Sequence, residues 1–280
     1  MNQPATRTPG EPVKVAALQM VSGPDVAANL AAAERLIAQA ASQGARIALL
    51  PEYFCIMGNR DTDKVDAREA PGGPIQTFLA GSAARHRIAI IGGTVPLVAP
   101  RAGRVINTCQ VYDADGRHLA RYDKIHLFGL DRGGERFDES ATIVAGRTPV
   151  VCDIPVDATR LLRTGLSICY DLRFPELYRR MAPCDLIVVP SAFTHTTGAA
   201  HWELLLRARA VENQCYVLAA AQGGRHPSGR RTWGHSMLVD PWGEVVDVLP
   251  EGEGVVCAEI DPARTAEIRA ALPALRHRVL

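Results

Sequence analysis

The sequence predicts an α/β fold in which β-sheets are covered by helices. Short apolar runs typical of buried strands alternate along the chain with segments typical of amphipathic helices. Some strands are separated by a helix, which indicates parallel pairing, and others by a tight turn, which indicates a hairpin. Hydrophobic residues make up 47% of the 280 residues, enough for a large core. We therefore expect a flexible tail over residues 1–12 and a single domain over residues 13–280.

The chain begins with a strand–helix–strand unit. Residues 13–20 are mostly apolar and predict a strand that is buried on both faces. Asp25 then caps a helix that runs to about residue 42, and Pro51 ends a second buried strand over residues 46–50. This order predicts two parallel strands joined by a right-handed crossover.

The remaining elements follow the same two patterns. The sequence next predicts, in chain order, a helix over residues 75–86, a strand over 88–94, a hairpin over 105–122 and a polar, glycine-rich loop over 129–140. It then predicts strands leading to Cys169, a strand over 186–189, a helix over 198–213, a strand over 215–221, a hairpin over 237–246, a strand over 254–260 and a helix from Pro262. Parallel strands and hairpins are therefore mixed in sheets that helices cover.

Composition and charge exclude several classes of function. Lys plus Arg number 31 and Asp plus Glu 30, so a net charge of +1 predicts neither a nucleic acid nor a membrane as partner. The seven cysteines are scattered without a Cys-x-x-Cys pair, which favours a reducing compartment. No apolar run approaches the roughly 20 residues that span a bilayer, and the polar N-terminus is unlike a signal peptide. We expect a soluble cytoplasmic protein.

Cys169 is the strongest candidate for a catalytic nucleophile because of its position. It follows a predicted buried strand over residues 161–166, and Pro175 lies in the first turn of the next helix. A strand-to-helix turn exposes a side chain at the sheet edge, and a helix N-terminus lowers the pKa of a thiol. The alternative is a buried structural cysteine, since free cysteines are often buried.

Glu52 and Lys124 share this placement, because each follows directly after a predicted strand. In an open α/β sheet, ligands bind in the crevice beyond the strand ends. A buried glutamate has a raised pKa and suits the role of base for a thiol, and a lysine stabilises a negative oxygen. Taken singly, each is also typical of a solvated surface charge.

Three segments resemble the signature motifs of the nitrilase superfamily of carbon–nitrogen hydrolases. They are Leu-Pro-Glu at residues 50–52, Tyr-Asp-Lys-Ile-His-Leu at 122–127 and Ile-Cys-Tyr-Asp-Leu-Arg-Phe-Pro-Glu at 168–176. The resemblance continues to the C-terminal end and implies a four-layer α-β-β-α sandwich that forms a homodimer or a higher homo-oligomer. Within the superfamily, residues 199–217 and 220–226 are most similar to the branch of deaminated glutathione amidase and omega-amidase.

The resemblance implies an amidase that works through a cysteine thioester. Glu52 is the implied base, Cys169 the nucleophile, and Lys124 with the backbone N–H of Tyr170 the oxyanion site. The implied reaction converts a linear, carboxylate-bearing amide to an acid plus ammonia, with deaminated glutathione as the first candidate substrate. The alternatives are α-ketoglutaramate or succinamate, as for omega-amidase, and N-carbamoyl compounds.

Further site residues follow from the resemblance. A fourth catalytic residue maps to Glu139, although Gly129 departs from the family pattern in this loop and Glu135 remains the competing assignment. Arg173 is a candidate for binding the substrate carboxylate, and an i, i+3 pair with Glu176 is the alternative. Phe193, Thr194 and Thr197 are expected to line the pocket together with Tyr170; the two threonines equally suit capping of the following helix.

The remaining predictions concern metal binding, a structural ion pair and two competing functions. His195, His201 and His235 fit no recognised zinc spacing, and we expect neither a metal nor another cofactor. Glu203 and Arg207, four residues apart on a helix, are expected to form a structural pair. A cysteine peptidase with a Cys–His dyad is one competing function, and a catalytically idle relative that binds a partner or metabolite is another.

Overall fold

The computed structural model describes residues 10–132 and 134–279, apart from the side chain of residue 135. The tail expected over residues 1–12 therefore lies mostly outside the described residues. The strands, in chain order, are β1 (Val13–Gln19), β2 (Ile47–Leu49), β3 (Ala89–Ile91), β4 (Val95–Val98), β5 (Val105–Tyr112), β6 (His118–Asp123), β7 (Gly129–Arg132), β8 (Glu135–Asp138), β9 (Val150–Pro155), β10 (Leu161–Leu166), β11 (Leu186–Ser191), β12 (Tyr216–Ala221), β13 (Gly223–Arg225), β14 (Arg231–Trp233), β15 (Ser236–Val239), β16 (Val245–Leu249) and β17 (Gly254–Ile260). The α-helices are α1 (Val26–Ser42), α2 (Asp63–Asp66), α3 (Pro74–His86), α4 (Pro175–Met181), α5 (His195–Asn213) and α6 (Pro262–Ala271).

Two mixed sheets form the centre of the fold. The first has the strand order β17-β1-β2-β3-β5-β4, with β6 also paired to β5, and the second has the order β16-β15-β12-β11-β10-β9. β1, β2 and β3 run parallel, as do β10, β11 and β12, while the outer strands are antiparallel. The predicted mixture of crossovers and hairpins is confirmed.

The alternation of side chains along β1 explains why the sheets are stacked between helices. Val15 and Ala17 point into a core shared with the second sheet and α5, whereas Ala16 and Leu18 point into a core shared with α1 and α3. Both faces of the strand are therefore buried. The second sheet is covered on its outer face by α4 and α5. The predicted four-layer α-β-β-α sandwich is confirmed.

Local signals fix several element boundaries. The side chain of Asp25 accepts a hydrogen bond from the Ala28 N–H at 3.1 Å and so caps α1, as expected. Strand β11 continues through Pro190 to Ser191, beyond its predicted end. The neighbouring β10 has already ended at Leu166, opposite Val188, so Pro190 interrupts no ladder on that side.

Two predicted elements near the site differ in the structure. The loop expected over residues 129–140 is the hairpin β7–β8 followed by a short 3-10 turn, Glu139–Ala141. Helix α5 begins at His195 rather than residue 198, because Thr194 caps it. In the described part of the chain, no helix is long and apolar enough to cross a membrane.

Candidate active site

The three residues that follow predicted strands in the sequence meet between the two sheets, although β6, the strand before Lys124, is mostly exposed or half-buried. The side chains of Lys124 and Glu52 are 0% and 1% exposed, and Lys124 Nζ lies 2.8 Å from Glu52 Oε1. The thiol of Cys169 contacts the same carboxylate. The structure thus brings a carboxylate, an ammonium and a thiol together in one buried cluster.

Glu139 is a second carboxylate partner of Lys124. Its Oε2 and Oε1 atoms lie 2.7 and 3.0 Å from Lys124 Nζ. It also accepts hydrogen bonds from the Phe128 N–H at 2.7 Å and from the Tyr53 hydroxyl at 2.8 Å. The side chain of Glu135, the competing assignment, lies outside the described residues. The described geometry therefore connects Glu139 to the cluster.

The backbone at Cys169 adopts the left-handed conformation, with φ at 50°. A non-glycine residue in this conformation is strained, and such strain is typical of functional sites. Cys169 begins a 3-10 turn that ends at Arg173, and within it Asp171 accepts a hydrogen bond from the Ile168 N–H at 2.9 Å. This bond closes the turn that carries the thiol.

Asp171 also connects the cysteine turn to the segment around Lys124. Its carboxylate accepts hydrogen bonds from the Tyr122 hydroxyl at 2.7 Å and from the His126 N–H at 3.0 Å, and it lies 2.7 Å from His126 Nδ1. An ionised carboxylate only accepts, so Nδ1 is the donor of the third bond. Tyr122 and His126 flank Lys124 on either side. Asp171 therefore holds the lysine segment and the cysteine turn in fixed positions relative to each other.

The surroundings shift the pKa values of the ionisable groups in the cluster in different directions. Burial raises the pKa of Glu52, and the nearby Glu139 charge adds to this, while Lys124 only partly opposes it. Burial alone would also raise the pKa of Glu139, but the Lys124 charge and hydrogen bonds lower it below the usual range. The two carboxylates hold the pKa of Lys124 well above its ordinary value despite burial. Of the two carboxylates, Glu52 is therefore the one that takes up a proton more readily.

The protonation state of Cys169 differs from the expectation. A helix N-terminus was expected to lower the pKa of the thiol, but burial and the Glu52 charge raise it well above its ordinary value. The prediction is wrong because α4 begins only at Pro175, beyond the 3-10 turn, while a carboxylate contacts the thiol directly. The thiol therefore needs a base in contact with it before it can act as a nucleophile.

A cavity of about 510 Å³ opens from the cluster toward the surface. Glu52, Glu139 and Cys169 form its inner end. Its outer end is lined by residues of short elements, among them Lys64, Phe128, Phe137, Thr194, His195, Arg230 and Arg231. A separate, smaller cavity beside the thiol is lined by Phe128, Cys169, Tyr170, Arg173, Ala192, Phe193, Thr194 and Thr197. The predicted substrate-binding residues therefore lie together at this smaller cavity.

Arg173 contacts other groups than the predicted helix partner. Its guanidinium lies 3.2 Å from His201 Nδ1 and stands over the rings of Phe193, at 5.2 Å, and Tyr170, at 5.6 Å. Within the described residues, Arg173 forms no ion pair with Glu176, so that alternative is wrong. Its charge is directed toward the small cavity rather than along α4.

The threonines that begin α5 serve as a helix cap. Thr194 Oγ1 accepts a hydrogen bond from the Thr197 N–H at 3.3 Å, and the two hydroxyls are 2.9 Å apart. The capping interpretation is confirmed for Thr194, which also lines both cavities, whereas Thr197 lies inside the helix. The Glu203–Arg207 pair also forms, at 3.5 Å, on the exposed face of the helix.

The three histidines show no arrangement for a metal. Among residues 10–132 and 134–279, no group of three or more His, Cys, Asp or Glu side chains is placed to hold a metal ion. His195 packs edge-on against Trp233 at 5.0 Å, and His235 stacks on the same ring at 4.2 Å. These rings pack against one another.

Three residues at the site were not predicted from the sequence. Tyr53 bonds to Glu139, Asn107 Nδ2 donates to Glu52 Oε1 at 2.9 Å, and Lys64 lines the outer cavity. Tyr53 directly follows Glu52 in the chain, so it could have been predicted as a site residue from this position. Asn107 lies inside a predicted strand, and Lys64 lies in a segment without hydrophobic periodicity. No feature of the sequence therefore indicated that either residue is at the site.

Comparisons with known proteins identify the family of the chain. The chain is similar to the deaminated glutathione amidase of Synechocystis, with 43% identity over 275 residues that cover 96% of this chain and 99% of that protein. It is also similar to human omega-amidase NIT2, with 42% identity over 253 residues that cover 89% of each chain. The crystal structure of Saccharomyces cerevisiae Nit3, a member of branch 10 of the nitrilase superfamily, matches with a TM-score of 0.86 and 31% identity, covering 99% of this chain and 100% of that one.

The family model described as carbon-nitrogen hydrolase matches residues 14–270, which includes the whole of both sheets except Val13. Glu52, Lys124 and Cys169 lie within that match. The chain belongs to the carbon–nitrogen hydrolase family.

Proposed function

We propose that the protein is an amidase that hydrolyses a linear, carboxylate-bearing amide through a thioester on Cys169, with deaminated glutathione as its preferred substrate. The observation that carries the proposal is the buried contact of Glu52, Lys124 and Cys169 at the inner end of a cavity. A cysteine peptidase with a Cys–His dyad needs an imidazole at the thiol, whereas here a carboxylate contacts it.

Acylation begins with proton transfer from the Cys169 thiol to Glu52. The raised pKa of Glu52 suits this role, because a base works best when its pKa lies near the working pH. The sulfur then attacks the amide carbon and forms a tetrahedral intermediate. When the C–N bond breaks, the leaving nitrogen takes the proton from Glu52, and the acyl group remains on Cys169 as a thioester.

Lys124 changes partners as the reaction proceeds. Its ammonium has three donors, and in the free protein these face Glu52 and the two oxygens of Glu139. Protonation of Glu52 removes one of these anionic acceptors. The ammonium then donates to the oxyanion of the intermediate, together with the backbone N–H of Tyr170. Glu139 keeps Lys124 charged and in place throughout.

Deacylation reverses the proton path with water as the nucleophile. Glu52, deprotonated again, takes a proton from water as the oxygen attacks the thioester carbon. The C–S bond breaks, the carboxylic acid leaves, and the sulfur recovers the proton from Glu52. The same base therefore serves both half-reactions, and no cofactor enters either step.

The leaving group depends on the amide that is cleaved. A primary amide such as α-ketoglutaramate releases ammonia, whereas deaminated glutathione contains secondary amides and releases an amine. Identities of 43% and 42% to relatives named for these two activities do not separate the substrates. The cavity of about 510 Å³ favours the larger molecule, since small-molecule pockets of roughly 300–1,000 Å³ enclose whole drug-sized ligands.

We also propose that residues 13–280 form one domain that acts in the cytoplasm as a homodimer. The seven cysteines support a reducing compartment, since all are free thiols in the structure. Leu204 and Val211, both exposed on α5, and the exposed Trp242 offer an apolar surface for self-association. Light scattering on the purified protein measures the oligomeric state.

The test is to offer deaminated glutathione and α-ketoglutaramate side by side and to measure 2-oxoglutarate, the acyl product that both release. Amine and ammonia are measured in parallel, with Cys169→Ala as the blank. We expect turnover of both amides, with the higher kcat/KM for deaminated glutathione. A preference for α-ketoglutaramate would assign the omega-amidase activity instead.

Absence of 2-oxoglutarate from both substrates, or full activity in Cys169→Ala, contradicts the proposal. A catalytically idle relative would in addition leave Cys169 unreactive toward iodoacetamide, which mass spectrometry of the modified protein detects. An active enzyme is expected to be alkylated at this cysteine.

A further inference from the structure

A second group of positive charges lies at the outer end of the active-site cavity, apart from Lys124. Lys64 on the short helix α2 lines the cavity on one side. Arg230 and Arg231, at the turn between β13 and β14, line it on another. The mechanism derived above uses none of these three side chains.

The three cations differ in whether they already have a counter-ion. Arg230 hydrogen-bonds the carboxylate of Asp61, and Arg231 lies 3.5 Å from Glu251 Oε1. Lys64, by contrast, forms no ion pair within 4 Å among the described side chains. Its ammonium lies 5.9 Å from the centre of the Tyr53 ring. Among the described side chains, Lys64 is therefore the charge at this end that an incoming anion meets without a competing salt bridge.

The surroundings of Lys64 leave its charge incompletely compensated. Burial lowers the pKa of Lys64, and the charges of Arg230 and Lys124 act in the same direction. Asp61 and Glu139 oppose this without restoring the ordinary value. A half-buried ammonium that is partly shielded from water, with no bonded partner among the described side chains, interacts strongly with a carboxylate that enters the cavity.

We propose that Lys64, with Arg230 beside it, forms an anion subsite for a carboxylate on the leaving-group side of the substrate. This inference rests on the proposed function, because the subsite is defined relative to the amide held at Cys169. Arg173 lies beside the thiol at the smaller cavity, which Lys64 does not line, so the two cations are on different sides of Cys169. The protein thereby selects amides that carry a carboxylate on both sides of the scissile bond.

The test removes the two partners of the contact separately and together. Lys64→Met keeps the length of the side chain without its charge, and the substrate partner is removed by converting the C-terminal carboxylate of deaminated glutathione to a carboxamide. We expect Lys64→Met to lower kcat/KM for deaminated glutathione by about 10- to 100-fold, mainly through KM, as for loss of a hydrogen bond between charged groups. For the carboxamide, and for α-ketoglutaramate, the same variant changes kcat/KM by less than about threefold.

Two further variants make the test specific. Lys64→Arg keeps a cation and is expected to recover most of the activity on deaminated glutathione. Lys14→Met removes a lysine exposed on β1 and is the matched control, with no expected change. Asp61→Asn frees Arg230 from its carboxylate and is expected to lower KM for the carboxylate substrate.

Two results would overturn the subsite. An equal loss on all three substrates would mean that Lys64 acts through the catalytic cluster, and no loss on any of them would mean that its charge is not used. Both outcomes leave the proposed function standing, because wild-type turnover that Cys169→Ala abolishes is measured in the same series. Failure of the wild type itself to release 2-oxoglutarate overturns the proposed function instead.

Discussion

The inner and outer ends of the active-site cavity are built in different ways. At the inner end, Glu52 and Lys124 follow paired strands of the first sheet, are almost fully buried, and make several hydrogen bonds each. At the outer end, Lys64 lies on a four-residue helix and Arg230 on a hairpin turn, both only half-buried. The rigid end holds the groups that the proposed chemistry uses, and the short elements hold those proposed to select the substrate.

This difference has an energetic consequence. Glu52, Glu139 and Lys124 together carry a net charge of −1 when both carboxylates are ionised, and their side chains are at most 13% exposed. A buried charge that is not fully compensated destabilises the folded state. The inner end therefore couples stability and activity, whereas substitutions at the outer end are expected to change selectivity alone.

The largest effect is expected for Lys124→Met, which removes the only cation of the buried trio. Loss of one partner of a buried ion pair costs about 3–5 kcal/mol, and here two carboxylates are left facing each other. Activity is lost as well, because the oxyanion has no counter-charge. Urea unfolding at about pH 8 and about pH 5 measures the first effect, and the deficit is expected to shrink at the lower pH, where the carboxylates take up protons. A variant as stable as the wild type at both pH values would contradict the conclusion that Lys124 stabilises the two buried carboxylates.

Glu52→Gln is expected to lower kcat/KM by about a hundredfold to ten-thousandfold, because both half-reactions lose their base. The pH dependence of the wild type follows from the raised pKa of Glu52. Its activity falls as the pH drops through that value, above the 4.5 of an ordinary glutamate, because the base becomes protonated. A pH–rate profile of kcat/KM measures this decrease at low pH. The residual activity of the variant is expected not to show the decrease.

The same substitution has the opposite effect on stability. The folded state raises the pKa of Glu52, so the wild type binds a proton on folding and loses this stabilisation as the pH rises through the raised value. Gln cannot ionise. As the pH rises from about 5 to about 8, the free energy of unfolding of the variant is therefore expected to increase relative to that of the wild type. Thermal melts at the two pH values test this, and a relative loss on raising the pH would reject the assigned direction.

Asp171→Asn is expected to have an intermediate effect, because Asp171 joins the cysteine turn to the lysine segment. Its two oxygens accept four hydrogen bonds, and an amide offers only one oxygen, so buried donors are left unpaired at a cost of about 1–3 kcal/mol each. The rate at which iodoacetamide alkylates Cys169 reports the position of the thiol directly. Tyr122→Phe removes one of the four donors and is expected to show a smaller change. Equal alkylation rates in the wild type and Asp171→Asn would mean that the bonds stabilise the fold without positioning the thiol.

The same contrast explains which features the sequence predicted. The strand before Glu52 is strongly apolar and the strand before Cys169 partly so. The strand before Lys124 is mostly exposed or half-buried, so the position of Lys124 was predicted from the hairpin pattern and the family motif. Asp171 lies within a recognised motif, but its partners are Tyr122 on β6 of the other sheet and His126 in the loop after that strand. Single-chain periodicity does not reveal contacts between such segments. The hairpin β7–β8 looked like a loop because its residues are polar and exposed.

The position of Lys64 at the cavity could not be predicted from the sequence. Helix α2 has four residues, too few to show a hydrophobic period, and the position of the Lys64 ammonium over the Tyr53 ring is a contact that no sequence pattern predicts. The raised pKa of Cys169 was missed for a related reason. It depends on the distance to a carboxylate from another strand, which the order of residues does not encode.

The smallest effect is expected for Arg231→Gln, at the outer end of the cavity. Arg231 and Glu251 are 39% and 55% exposed and lie 3.5 Å apart, so their ion pair contributes at most about 1 kcal/mol. The variant is expected to keep kcat/KM for deaminated glutathione within about twofold and the free energy of unfolding within about 0.5 kcal/mol. Steady-state kinetics and urea unfolding measure both, with Lys64→Met assayed beside it. A loss as large as that of Lys64→Met would extend the anion subsite to Arg231, since an exposed guanidinium affects KM this strongly only when it contacts the substrate.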